Sequence, residues 1–405
     1  MIKLIKFAIL FTLCLFPIII TSDFRINPLK IRPTPLIINS QNEVLYPDSG
    51  SSGISLPAGQ KITIACPGSQ LLEQNILLAE YITATCLENN YLNSAGRKLD
   101  FYSLHCQRIP ENTIRTTHKT CAEGGKEIEI GYLIPENQTF VRQIRVCFDD
   151  VNLTPVYSQY ILTSKINNRH SRVPRQFFEE DGFYSTQSSL ATLYNRNVER
   201  RTINTLLGLD SRSDTYIKDH GDNRFINRGH LAAQGDFVYD FQQLATFHYV
   251  NSAPQWASIN GGNWNELEIS LRQLANSSST DFDVYTGVHG VSTLRHSKTN
   301  EKTNLYLHTE NNKNLMPVPQ LFWKLIQSRT DGKSIVVVSI NNIYEIDDFL
   351  DFVCNDVSDN VSWFNENLRR QKRNRVLGYM YACSVTEFCG RIKGCSRVHA
   401  RGLLL

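Results

Sequence analysis

Cysteines occur in two groups along the chain, and their spacing restricts how it can fold. Cys14 lies in an apolar N-terminal segment, and the other nine form an earlier and a later set: Cys66, Cys86, Cys106, Cys121 and Cys147, then Cys354, Cys383, Cys389 and Cys395. No two of them form the C-x-x-C pair that zinc clusters usually require. The pattern therefore predicts disulfides formed in an oxidising compartment. Because nine is an odd number, one cysteine must be free, intermolecular or paired with a segment that has been lost.

The N-terminus has the pattern of a secretory signal. Lys3 and Lys6 precede an apolar run over residues 7–20, and small polar residues follow at positions 21 and 22. This pattern predicts a signal peptide over residues 1–22 and a secreted, extracellular protein. An uncleaved anchor or a buried strand is the alternative. Four N-glycosylation sequons agree with secretion, although such triplets also arise by chance: Asn137, Asn152, Asn276 and Asn360.

The composition is that of a globular protein. Hydrophobic residues make up 41% of the chain and charged residues 20%, which excludes a wholly disordered or fibrous chain. After the signal, no apolar run approaches the roughly 18 residues of a membrane-spanning helix, so we expect no membrane partner. Removing Lys3 and Lys6 lowers the formal net charge from +3 to +1. A charge this small does not indicate a nucleic-acid-binding protein, but it does not exclude a local basic patch.

Local patterns divide the rest of the chain into two units joined by a linker. Apolar residues alternate around Ile62 and Ile64, and again over residues 144–148, which predicts half-buried strands. Residues 23–165 are therefore expected to form a small, mostly β domain that contains disulfides. Residues 166–177 are basic and polar, which predicts either an ordinary solvated loop or an exposed linker that trypsin-like or furin-like proteases could process.

Residues 178–405 alternate irregularly between strand and helix patterns, which predicts an α+β domain. Ser334–Ile340 is a β-branched run typical of a buried strand, and Asp281–Val288 and Leu321–Ile326 predict two more. A helix is predicted from apolar residues spaced by three and four: Trp264, Leu267, Leu271 and Leu274. A basic run is either a solvated surface or a track for phosphates: Arg369, Arg370, Lys372 and Arg373.

Groups suited to phosphodiester hydrolysis are concentrated in one block of this second unit. A water must lose a proton, which suits a histidine such as His230, and the charge that develops on phosphorus needs an arginine such as Arg228 or a metal ion. Mg²⁺ can assist the departing oxygen; Asn260 is a candidate ligand, and Glu268 could orient metal-bound water. Taken singly, each has a structural alternative: a core histidine, a turn asparagine, and a solvated helix carboxylate for which Glu266 is the competitor.

Three motifs follow one another in this block. They are N-R-G-H at Asn227–His230, Y-V-N-S-A-P-Q at Tyr249–Gln255 and I-N-G-G-N-W-N-E-L-E at Ile259–Glu268. Together they resemble the D-R-G-H, Y-L-S-N-x-x-P-Q and L-N-x-x-x-W-x-x-L-E motifs of the DNA/RNA non-specific endonuclease family. This family lies in the ββα-metal (His-Me finger) superfamily and includes endonuclease G and the secreted double-stranded-RNA-degrading nucleases of arthropods. The resemblance is close over residues 225–290 and looser over residues 180–400.

The resemblance implies a fold and a role for each matching residue. The fold is a ββα-metal nuclease domain with a mixed sheet core, preceded here by the small β domain. His230 corresponds to the general base, Asn260 to the Mg²⁺ ligand and Glu268 to the carboxylate that orients water. Arg228 matches the arginine that contacts phosphate, and Asn251 matches a family asparagine near the site. Mn²⁺ is the expected substitute for Mg²⁺.

The resemblance also implies the reaction. The substrates are RNA, including double-stranded RNA, and DNA, either single- or double-stranded. Cleavage has no marked sequence specificity and leaves 5′-phosphate and 3′-hydroxyl ends.

The chain departs from the family pattern at two places. Asn227 stands where many relatives have aspartate, which removes a negative charge near His230. A second, upstream arginine of the family is not marked by a motif here. The candidates are Arg196, Arg200, Arg201 and Arg212, of which we choose Arg212 as substrate-binding.

Two other functions are compatible with the sequence. A secreted protein that binds or scavenges nucleic acid without cleaving it would share these motifs, although the joint presence of His230, Asn260 and Glu268 argues against it. The N-terminal unit could instead be the functional part and bind another protein. No pattern predicts the oligomeric state.

Overall fold

The computed structural model describes residues 23–48, 53–135, 138–218, 221–345, 353–395 and 398–405. The predicted signal peptide and the sequon at Asn137 lie outside these residues. The predicted α+β class is confirmed, because several helices and small sheets accompany one large sheet. Within the described ranges, no helix is long and apolar enough to cross a bilayer.

The first part of the chain forms small sheets of short strands. Their bounds are β1 (Phe24–Ile26), β2 (Leu36–Asn39), β3 (Ile54–Leu56), β4 (Lys61–Ala65), β5 (Leu71–Glu73), β6 (Ile76–Leu77), β7 (Tyr81–Cys86), β8 (Tyr91–Ser94), β9 (Arg97–Asp100) and β10 (Leu104–Cys106). The largest sheet has the order β2-β4-β7-β8-β9. The predicted strand around Ile62 and Ile64 is β4, and both side chains are buried. Alternation in this strand therefore separates a core face from a solvent face.

Eight strands form the central sheet, in the order β11-β12-β13-β14-β17-β22-β23-β24. The first four are β11 (Thr113–Thr120), β12 (Lys126–Ile134), β13 (Thr139–Asp149) and β14 (Thr154–Leu162). Every ladder of this sheet is antiparallel, so the core is not the mixed sheet that we expected. Consecutive strands such as β13 and β14 are joined by a short turn, and a short turn can only connect antiparallel neighbours.

The remaining elements follow after residue 189. They are α1 (Leu190–Leu193), α2 (Arg196–Leu206), β15 (Ile226–His230), α3 (Asp240–Leu244), β16 (Ser252–Trp256), α4 (Ala257–Ile259), α5 (Asn265–Ser278), β17 (Phe282–His289), β18 (Thr293–Arg295), β19 (Lys302–Asn304), β20 (Tyr306–Glu310), β21 (Lys313–Pro317), β22 (Leu321–Ser328), β23 (Ser334–Ile340), α6 (Glu366–Gln371), β24 (Met380–Cys383) and α7 (Val385–Arg391). The three strands predicted from apolar runs are β17, β22 and β23. The predicted helix is α5, whose Leu267 and Leu271 are fully buried in the main core.

The pairing of β14 with β17 differs from the division expected at residues 165–178. Tyr157 lies opposite Gly287 and Leu162 opposite Phe282, so strands from both predicted units share one sheet. The intervening segment is not an exposed linker throughout. His170 is buried, and its backbone N–H donates to the Val238 carbonyl at 2.7 Å. Pairing between strands so distant in sequence cannot be recognised from local patterns, which explains the difference.

Four disulfides form, two within the earlier set of cysteines and two within the later set. They are Cys66–Cys106, Cys121–Cys147, Cys354–Cys383 and Cys389–Cys395. The odd cysteine is Cys86, which is buried and free. The prediction of a disulfide-containing chain is therefore confirmed.

Candidate active site

Two strands and a helix bring the three sequence motifs together. β15 pairs with β16 in an antiparallel ladder in which His230 lies opposite Ser252. After β16, α4 and a π-helical turn over Asn260–Trp264 lead directly into α5. His230 ends the first strand, and Asn260 begins the turn before the helix. This arrangement is a ββα unit.

A cavity of about 370 Å³ lies beside the ββα unit. Its walls include three of the predicted site residues, Arg228, His230 and Asn260. The other lining residues are Arg175, Gln176, Phe177, Phe178, Ala191, Asn227, Phe247 and Tyr249. A larger cavity of about 500 Å³, between residues 42–46 and the central sheet, contains none of the predicted residues. Chemistry rather than size therefore selects the smaller one, because it combines a histidine, arginines and an amide.

His230 is held between two aromatic rings. The centroid of its imidazole lies 4.9 Å from that of Phe178 and 5.1 Å from that of Phe247. Its Nε2 atom is buried and has no hydrogen-bond partner among the described residues. Burial, assisted by the charge of Arg175, lowers the pKa of His230 to about 3. The imidazole is therefore neutral at physiological pH and can accept a proton.

Arg228 is positioned by aromatic side chains. Its Nε donates a hydrogen bond to the Tyr249 hydroxyl at 3.1 Å, and its guanidinium lies 4.9 Å from the centre of the Tyr194 ring. The backbone N–H of Arg228 donates to Asn227 Oδ1 at 2.9 Å. The neutral amide at position 227 thus supplies an acceptor oxygen, as an aspartate would. Fixed in this way, the guanidinium is a preorganised donor at the wall of the cavity.

Asn251 is fully buried, and its amide makes four hydrogen bonds. Oδ1 accepts from Ser158 Oγ and from the Ala232 N–H, each at 2.9 Å. Nδ2 donates to the carbonyls of Ala232 and Thr246, each at 3.0 Å. All donor and acceptor positions of the amide are in use, so it has none left for a substrate. Asn251 connects β14 to the loop that follows His230, which gives it a positioning role.

Comparison with known proteins agrees with this geometry. A family model described as DNA/RNA non-specific endonuclease matches residues 123–388. The chain belongs to this family. A salivary endonuclease of Lutzomyia longipalpis is 30% identical over 340 residues, which cover 84% of this chain and 75% of that protein. Salivary protein Tsal2A of Glossina morsitans morsitans is 23% identical over 93% of this chain and 92% of its own length.

A solved structure, that of the EndoG/EndoGI complex, is 22% identical and covers 51% of this chain and 74% of that chain. Its TM-score is 0.35. The family match and the salivary relative establish the activity class. The protein is a non-specific endonuclease, and its family depends on a metal ion.

Another arginine at the cavity lies in the segment that we expected to be a linker. Arg175 lines the cavity, and its charge acts on His230. Arg212, our choice from the sequence, is exposed in the loop after α2 and is not part of the cavity wall. No local pattern distinguished Arg175, because it reaches the cavity only through the packing of residues 166–177 against the endonuclease core. We propose Arg175 in place of Arg212 as the second phosphate-binding arginine.

The turn that contains Asn260 is fixed by contacts on its inner side. Gly262 has non-helical φ and ψ angles of −97° and −123°. Asn263 is buried, and its Nδ2 donates to the carbonyls of Gln371 and Gly378, each at 2.7 Å. π-helical turns of this kind often occur at functional sites. The site fits a hard divalent ion, because Asn260 lines the cavity and its amide offers the oxygen that such an ion prefers.

Glu268 is half-buried in α5 and does not line the cavity. Burial, together with the charge of Asp236, raises the pKa of Glu268 to about 7. Asp236 is itself bound by Arg272 Nη1 at 2.7 Å. The competing carboxylate, Glu266, accepts a hydrogen bond from Asn365 Nδ2 at 2.8 Å. Of the two, only Glu268 is placed among buried charges, so its ionisation near neutral pH can change the field at the site.

A second set of potential ligand atoms was not recognised from the sequence. Glu179, Asp181 and His248 have ligand atoms within 4.8 Å of one another. However, His248 already contacts Asp181 Oδ2 through Nδ1 at 2.8 Å and Asn112 Oδ1 through Nε2 at 2.7 Å. These contacts connect the chain before β11 to the segment that carries Phe178. The cluster therefore has a clear structural role, whether or not it binds an ion.

Proposed function

We propose that the protein is a secreted, Mg²⁺-dependent endonuclease that hydrolyses RNA, including double-stranded RNA, and DNA without marked sequence specificity. The observation that carries this proposal is the juxtaposition of a neutral, unpartnered His230 with Arg228 and Asn260 around one cavity. The salivary names of its relatives support secretion, in agreement with the predicted signal peptide.

The proposed mechanism begins with His230 as general base. Its neutral imidazole accepts a proton from the attacking water, and the aromatic rings on either side hold the imidazole in place. Attack by water on phosphorus from this side leaves the phosphate on the 5′ end. Arg228 and Arg175 stabilise the negative charge that develops on the phosphate oxygens.

Asn260 is the proposed direct ligand of Mg²⁺, or of Mn²⁺ as a substitute. A divalent ion held there would supply a Lewis acid for the departing 3′ oxygen. A neutral amide ligand does not reduce the charge of the ion, which suits an anionic substrate. Glu268 would orient water bound to such an ion, and Asn251 holds the loop after His230.

The test is cleavage of plasmid DNA and of duplex RNA by the wild-type protein and by His230→Ala, each with and without EDTA. We expect His230→Ala to lose about 10²–10⁴-fold in rate and to keep its affinity for nucleic acid in EDTA. His399→Ala is the matched control, because His399 is exposed and, among the described residues, only its backbone carbonyl makes a hydrogen bond. Wild-type binding without cleavage would instead indicate a scavenging protein that has lost catalysis.

A further inference from the structure

One aromatic side chain at the cavity is almost completely exposed. Phe177 lines the cavity and is 96% exposed, the highest value for a large hydrophobic side chain among the described residues. Most of the other aromatic side chains near the cavity are packed against each other, and Trp256 and Trp264, which could have stacked on bases, are buried in the core. Exposing a whole phenyl ring to water is unfavourable, so a ring held at a catalytic cavity suggests that it has a ligand.

The surrounding segment holds Phe177 outward. From Arg175 to Glu180, exposed and half-buried residues alternate, as they do along an extended chain. The half-buried residues are anchored: Gln176 Nε2 donates to the Leu244 carbonyl at 2.9 Å, and Phe178 packs on His230. Phe177 therefore cannot turn inward without displacing a neighbour of the proposed base.

The same alternation places Phe177 beside the proposed phosphate-binding groups. Arg175 and Phe177 are two residues apart, so they project from the same side of the segment, and both line the cavity. In a nucleic acid, each phosphate is joined through a sugar to a base. A phosphate bound by Arg175 and Arg228 would therefore bring a neighbouring base to the ring of Phe177.

We propose that Phe177 is a stacking platform for a base of the substrate next to the cleaved phosphodiester. This inference rests on the proposed function and adds a recognition element to it. Stacking accepts any base, because every base has a π face, which agrees with cleavage that ignores sequence. The base must first leave its own stack, so Phe177 favours single strands and opened duplex ends over intact duplex.

The experiment compares Phe177→Ala, Phe177→Trp and wild type on single-stranded DNA oligonucleotides. One series has all its bases, and another carries a single abasic nucleotide at successive positions. Dissociation constants are measured in EDTA by fluorescence anisotropy, and KM and kcat are measured with Mg²⁺. For the complete strand, Phe177→Ala should raise KM and the dissociation constant about 5- to 150-fold, with little change in kcat. Phe177→Trp keeps an aromatic ring, so its KM and dissociation constant should stay close to those of wild type.

The abasic series separates stacking from a general loss of function. For wild type, one abasic position should weaken binding as much as Phe177→Ala does, and the variant should be insensitive to it. Ile76→Ala is the control, because Ile76 is 66% exposed in β6 of the N-terminal part. If Phe177→Ala matches wild type on every strand, the proposal is wrong. If wild type binds but cleaves nothing, the proposed function fails, yet the binding series still decides the role of Phe177.

Discussion

His230 has an environment that changes the expected pH dependence. Because its pKa is lowered to about 3, the neutral imidazole predominates above that pH and the proton acceptor is present through the neutral range. We expect kcat/KM to show no titration of His230 near the ordinary value of about 6.5. A change in kcat/KM close to pH 7 would instead reflect the ionisation of Glu268, whose pKa is raised to about 7.

Profiles of kcat/KM against pH for wild type and Glu268→Gln separate the two groups, with folding followed by circular dichroism. The glutamine cannot ionise, so the limb near pH 7 should disappear from the residual activity of this variant. A limb near pH 6.5 that survives in Glu268→Gln would contradict a neutral, buried base.

Asn260 gives a prediction about the metal ion. Asn260→Ala removes the only protein ligand that we propose, and we expect the Mg²⁺ concentration needed for half-maximal rate to rise by at least tenfold, with partial rescue at high Mg²⁺. Asn260→Asp keeps an oxygen ligand and should be less impaired in binding Mg²⁺. The measurement is a titration of rate against Mg²⁺ for the three proteins. An identical Mg²⁺ dependence in Asn260→Ala would remove this residue from the metal site.

Among the elements, the π turn that carries Asn260 has little freedom to change. A Cβ atom added to Gly262 would lie 2.7 Å from the Leu377 carbonyl oxygen, which is backbone and cannot rotate away. The adjacent Gly261 is exposed, and a Cβ atom there meets nothing within 4 Å. We expect Gly262→Ala to shift the turn and lower kcat by about tenfold or more, since small displacements of a catalytic group are costly. Gly261→Ala should be nearly normal.

The comparison is made by steady-state kinetics and thermal unfolding of both alanine variants. If Gly262→Ala and Gly261→Ala have the same kcat, the position of the turn does not control catalysis. Asn263 holds the turn from the other side, because its side chain bonds to the end of α6 and to the chain that follows it. Loss of these bonds should lower kcat in the same way. The exposed members of the basic run, Arg369, Arg370 and Arg373, lie next to that attachment, whereas Lys372 is buried against Asp359.

For the molecule as a whole, the central sheet predicts which fragments can fold. A fragment of residues 178–405 would lack β14, so β17 would keep β22 but lose its other neighbour in the sheet, and Asn251 would lose Ser158. It would also lack Arg175. We expect this fragment to be unfolded and inactive when expressed alone, as measured by circular dichroism and plasmid cleavage. An active, folded fragment would show that β11–β14 are not required.

Cleavage of the intact protein after Arg175 should have a different outcome. No disulfide of the described residues crosses this point, but the β14–β17 ladder does. The two pieces should therefore remain together in native gel filtration and separate in denaturant without reductant. Separation under native conditions would mean that the two parts of the sheet, on either side of the β14–β17 ladder, do not hold the pieces together.

Local sequence patterns identified individual elements well. The β-branched run at Ser334–Ile340 is a strand with those bounds, and the apolar spacing after Trp264 is helical, with Leu267 and Leu271 buried and Leu274 half-buried in α5. These predictions succeeded because the periodicity of a strand or helix depends on neighbours a few residues away. The family motifs indicated His230, Arg228 and Asn260, which the structure brings to one cavity; their roles stay predictions.

Relations between distant segments depended on the tertiary structure. The sheet that joins β14 to β17 and the approach of Arg175 to His230 both bring together residues with no common local pattern. Charges and burial follow from such packing, so the lowered pKa of His230 and the raised pKa of Glu268 could not be predicted either. The sequence by itself determined which chemical groups are present, because residue type decides whether a side chain can accept a proton, bind phosphate or coordinate a metal ion. The tertiary structure decided their surroundings, because burial and long-range contacts set the pKa values and bring the groups together.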